Sequence, residues 1–104
     1  MKLLIILSIE EYADDVRKIL ARQKVAIYSE TDIHGCRCGK EKESDISNWF
    51  ANSDTLVYSY LFFSFQDKES VERVLEEVQK YNSEKGEEEP NPLHAYSLNV
   101  EQSV

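Results

Sequence analysis

The chain opens with Lys2-Leu3-Leu4-Ile5-Ile6-Leu7, a nearly continuous apolar run followed at once by polar residues. A run this short predicts a strand buried on both faces. Ser8 stands three residues before Glu11, the spacing of a capping box. Ala13, Val16, Ile19 and Leu20 then recur at helical intervals, which predicts a helix over residues 9–22. From Val25 to Ile33 the pattern alternates and predicts a second strand. Val25, Ile27 and Ile33 share one face with Ser29 and Thr31, while Ala26, Tyr28, Glu30 and Asp32 take the other. Residues 34–54 form a long connection. Thr55 to Phe65, rich in Val, Tyr and Phe, is the strongest strand former. Asp67 is placed to cap a second helix, whose apolar stripe is Val71, Val74, Leu75 and Val78, extended by Tyr81 and ending near Asn82. An acidic stretch broken by Gly86, Pro90 and Pro92 leads to a last strand from Leu93 to Val100.

The element order is βαββαβ. Two right-handed βαβ units interleave into a ferredoxin-like α+β domain: a four-stranded antiparallel sheet with two helices on one face. In a lone domain of this kind the helix-free face meets water and is polar. Here strand 1 has Leu4 and Ile6 on one side and Leu3, Ile5 and Leu7 on the other. The third strand has Val57, Leu61, Phe63 and Phe65 on one side and Leu56, Tyr58, Tyr60 and Phe62 on the other. An apolar surface of that size is unusual in a monomer. It predicts burial against further copies of the chain. The alternative is that residues 34–54 fold back over it.

With 104 residues the chain forms one domain, 1–104, carrying a long excursion at 34–54. Its net charge of −8 lacks the footprint of a nucleic-acid binder. The apolar N-terminal run meets Glu10 and Glu11 with no small-residue cleavage site, so it does not read as a signal peptide. No stretch approaches the ~20 apolar residues of a membrane span. The expectation is a cytoplasmic protein without membrane insertion. A nucleophile elbow, a phosphate-binding glycine loop and a His-Glu-x-x-His pair are all missing, so no enzyme is expected.

The densest chemistry is His34-Gly35-Cys36-Arg37-Cys38-Gly39. Two thiols one residue apart cannot usefully cross-link a fold. With His34 they offer soft ligands for zinc, copper or nickel, and His94 is a candidate fourth from the same or another subunit. A reduced, solvated loop, a redox switch and a cysteine nucleophile are the alternatives. Within the same connection Ser44 can cap a helical turn bearing Ile46, Trp49 and Phe50 on one face. Trp49 and Phe50 are either anchors for a partner protein or side chains docked on the chain's own assembly.

Ser29-Glu30-Thr31-Asp32-Ile33-His34-Gly35, with Gly39 soon after, resembles the second strand of the PII signalling proteins where it enters their T-loop. The order of elements and the aromatic third strand are similar as well. The resemblance implies a homotrimer with effector bound between subunits. It also implies a T-loop, here 34–54, that acts on a partner such as a membrane transporter. Gly35, Arg37 and Gly39 would form the loop base for effector, and Trp49 and Phe50 the partner contact. The trimeric copper-tolerance CutA family shares this architecture and is the nearest alternative, a metal-binding role using the His-x-Cys-x-Cys segment. PII proteins hold nucleotide phosphates with glycine, lysine and arginine. Here Ser83 to Pro90 is acidic and the last strand has no arginine, so nucleotide is not expected.

Overall fold

The computed structural model describes residues 1–35, 57–85 and 91–104. Among these, the elements are β1 (Lys2–Ile9), a 3-10 turn (Glu10–Tyr12), α1 (Ala13–Arg22), β2 (Ser29–Gly35), β3 (Val57–Gln66), α2 (Lys68–Lys85) and β4 (Leu93–Asn99). The four strands form one antiparallel sheet in the order β2-β3-β1-β4. This is the ferredoxin-like α+β arrangement that the element order predicts.

β1 is central, paired with β3 on one side and β4 on the other. Its alternation sorts the sheet into two faces. Leu4 and Ile6 face the helices together with Phe62, and all three are buried. Val16, Ile19 and Leu20 of α1 and Val71, Val74 and Val78 of α2 close over them. Burying each of these side chains stabilises the fold by roughly 1.5–3 kcal/mol before chain entropy is counted.

The helix ends show how the local sequence works. Asp67 caps α2 as its position predicts, accepting a 2.8 Å hydrogen bond from the Ser70 amide. The capping box at Ser8 does not form. Ser8 is the buried penultimate residue of β1, facing Tyr60 and Leu93 in register, and its hydroxyl donates to the Ile9 carbonyl at 2.7 Å. The first turn is therefore 3-10 and has no side-chain cap. At the other end of α1, the Lys24 amide donates to Ala21 and the Val25 amide to Leu20, with Lys24 at φ 61°. This paired closure usually uses glycine at the left-handed position.

That closure corrects the predicted start of the second strand. Val25 is buried as the residue that completes the helix stop, and β2 begins four residues later at Ser29. Ile27, assigned by alternation to a face with Val25, is 81% exposed, while Tyr28 turns inward against Phe62. α2 runs to Lys85, three residues past the predicted end. Its Asn82 fastens β4: the side-chain amide donates to the Leu93 carbonyl at 2.9 Å and its oxygen accepts from the Leu93 amide at 3.0 Å.

Asn82→Ala leaves both of those half-buried backbone groups of Leu93 without that partner. Urea unfolding is expected to show a loss of about 1–3 kcal/mol, whereas Ser83→Ala, one residue on and exposed, changes stability by less than about 0.5 kcal/mol.

Candidate functional site

The helix-free face is built by the odd-numbered residues of β1, β2 and β3 and the even-numbered residues of β4. Its rows follow from the strand register: Phe65, Leu3 and Leu98; Ser29, Phe63, Ile5 and Tyr96; Thr31, Leu61, Leu7 and His94; Ile33, Ser59 and Ile9. These rows contain no Asp, Glu, Lys or Arg, in a chain with 20 acidic and 12 basic residues. The strand charges Lys2, Glu30 and Asp32 all lie in the helix-side rows. Phe65 is 52% exposed, Leu98 45% and Tyr96 43%. The two-sided apolar strands read from the sequence are therefore present; on the helix-free side Leu7 and Ser59 are buried, while Phe65, Tyr96 and Leu98 are open to solvent.

At one end of the sheet, β2 and β3 frame the entry to the long connection. Gly35 ends β2, is buried, and lies in register with Val57. His34 is exposed, and its ring meets that of its register partner Tyr58 edge-on at 5.0 Å. Cys36, Arg37, Cys38, Gly39, Trp49 and Phe50 lie outside the described residues. His94 sits on β4, the opposite edge strand from His34, and on the opposite face. Three strand spacings of about 4.8 Å, plus the offset along the strands, keep the two imidazoles on the order of 15 Å apart in one chain. Among the described residues no group of three metal-ligating side chains comes together.

A contact that the sequence reading missed holds β2 in place. Arg17 of α1 donates to both carboxylate oxygens of Glu30, at 3.0 and 2.6 Å, and to Asp14 at 2.5 Å. Its guanidinium lies 5.5 Å from the Tyr60 ring centre and 5.8 Å from that of Phe62. The strand that enters the connection is thus tied to the helix layer through a planar cation. No local motif marks the pair, because its partners are thirteen residues apart and meet only when β2 joins the sheet. The hydrogen bond from Arg17 holds the Glu30 carboxyl below the usual range.

Between the C-terminal half of α2 and β4 lies an open groove of about 430 Å³, lined by Leu75, Val78, Asn82, Asn91, His94 and Tyr96 among others. No lysine or arginine lines it among the described residues.

A sheet of this order with both helices on one side and a long β2–β3 connection is the architecture of the PII-like proteins. The chain superposes on CPII, a nitrogen regulatory PII-like protein from Thiomonas intermedia K12 bound to ADP, AMP and bicarbonate, with a TM-score of 0.56. The identity is 16%, and the match covers 99% of this chain and 94% of that one. A PII-like signalling protein from Thermus thermophilus superposes with a TM-score of 0.58 at 17% identity, over 95% of this chain and 84% of the other. At these identities the likeness is one of fold. No protein-family model matches the chain, and no curated protein matches it in sequence. Among the described residues, no helix is long and apolar enough to cross a membrane.

The Glu30 carboxylate contributes stability that is complete above its unfolded pKa of about 4.3 and is lost as pH falls through its depressed folded value. An NMR titration should place its midpoint below that of a free glutamate, and Arg17→Met should return it to the ordinary range. Because both side chains are about one-third exposed, at 35% and 33%, solvent screens the pair. The accompanying stability loss is expected to stay near 0–1 kcal/mol.

Proposed function

We propose that the protein is a non-catalytic PII-like regulator. It acts as a homotrimer that binds a small effector or ion between subunits and contacts a regulated partner, such as a transporter, through residues 34–54. The observation that carries this reading is the charge-free apolar face of the sheet. Copies of a protein of net charge −8 repel one another overall, and contact through this face brings the fewest like charges together. The PII-like architecture supports the same reading. In it, Gly35, Arg37 and Gly39 form the loop base toward effector, and Trp49 and Phe50 are the partner contact. The CPII structure holds nucleotides and bicarbonate. For this chain a phosphate-bearing effector is disfavoured by the missing lysines and arginines among the described residues of the groove beside β4.

Light scattering in dilute solution should give about three times the 12.1 kDa protomer mass, and Leu61→Asp, which places a charge amid the apolar rows, should give monomer. A wild-type mass equal to one protomer sinks the proposal.

A second reading, metal binding for tolerance or trafficking, is favoured by one observation: His34 is exposed at the end of β2, two residues from Cys36. It keeps His34, Cys36 and Cys38 as ligands; His94, on the far edge strand and the other face, could join them only from another subunit. Zinc titration by calorimetry is expected to show a site that the double change Cys36→Ser and Cys38→Ser weakens at least about tenfold, given that thiolates are strong zinc ligands. Equal affinity of wild type and variant removes this reading.

A further inference from the structure

We propose that the groove at the corner of the sheet, where β3 outruns β2, binds a small apolar carboxylate, with Lys24 receiving the anionic end and Phe65 and Ile27 holding the apolar body. The inference goes beyond the regulatory reading above and does not rest on it. β2 starts at Ser29, in register with Phe63, whereas β3 continues through Phe65 to Gln66 with only β1 beside it. Residues 25–28 do not pair with β3 as a strand; the Ser64 hydroxyl donates to the Ile27 carbonyl at 2.6 Å instead. The space between them is a groove of about 410 Å³, within the size range of small-molecule sites. Phe63 and Phe65 of β3 line it together with Ala26, Ile27 and Tyr28 of the connection. Ile27 and Phe65 are both exposed, and both lose water when an apolar body fills the groove.

Charge selects the ligand. Lys24 is the one charged residue lining the groove among the described residues. The other polar side chains there, Ser29, Ser64 and Gln66, are neutral. Lys24 makes no ion pair among the described residues, while Arg17 and Arg22 are each engaged by carboxylates. A net charge of −8 repels anions overall, so an anion needs a local cation to bind. One ammonium matches a monocarboxylate; a phosphate would bring more negative charge to the same single cation. Lys24 also has φ 61°, at the closure of α1 where glycine costs least. Lysine stands there at a conformational cost, and the groove gives its ammonium a partner to hold.

The test is titration with phenylbutyrate, followed by backbone amide NMR shifts, with phenylbutanol as the neutral comparator. Saturable shifts at residues 24–28 and 63–66 are expected, with a Kd on the order of 1 mM. Shifts confined to other parts of the chain overturn the assignment. Wild type should bind the acid about two- to fivefold more tightly than the alcohol. Lys24→Gly should erase that difference while unfolding at no lower a urea concentration than wild type, since glycine suits the backbone there. An acid bound no better than the alcohol, or a preference that survives in Lys24→Gly, overturns the carboxylate. Phe65→Ala should weaken both ligands about tenfold. Should it fold poorly, Ile27→Ala replaces it, with a loss of about threefold expected. Binding unchanged by loss of these apolar side chains overturns the groove. Leu61→Asp, whose substitution lies outside the groove, should bind as wild type does, so failure of the assembly leaves this result in place. Binding by that variant alone means that the assembly covers the groove, and overturns the inference.

Discussion

The strand at the centre of the sheet has to satisfy two environments at once. β1 is flanked on both edges, so its backbone is paired, and its side chains divide between a helix-covered layer and an open one. Leu4 and Ile6 anchor the first layer and are almost fully buried. Leu3, Ile5 and Leu7 are just as apolar on the other side. Once β1 is fixed, β3 and β4 inherit the same division through the register, and the open layer becomes a continuous uncharged surface. The proposed assembly follows from this arrangement, since exposed apolar rows of that extent are normally covered.

Much of this was legible in the sequence because strands and amphipathic helices announce themselves through period. The runs Lys2–Leu7 and, from Val57 onward, Thr55–Phe65, with Thr55 and Leu56 outside the described residues, correspond to observed strands, as the valine stripe does to the second helix. Asp67 was legible for the same local reason. The failures came where a local signal competed with a tertiary one. Ser8 has the spacing of a helix cap, but the pairing of β1 with β3 and β4 claims it for the sheet. Val25 and Ile27 alternate as in a strand, but the stop of α1 uses Val25 first and leaves Ile27 in solvent.

The candidate chemistry divides in the same way. His34, Gly35 and His94 are placed by strands, and their positions follow once the register is known. The clamp between Arg17 and Glu30 was invisible because neither residue is unusual in its own segment; both become informative only when α1 lies across β2 and β3. The groove beside β4 is likewise a product of packing, set by where Asn82 draws Leu93 against α2.

The edge strand β2 has a consequence for how copies meet. Glu30 and Asp32 lie within it, in a chain already strongly negative. Two such borders brought side by side would set like charges against each other, which discourages the sheet from lengthening into a ribbon or filament. The assembly proposed above would therefore not extend along this edge.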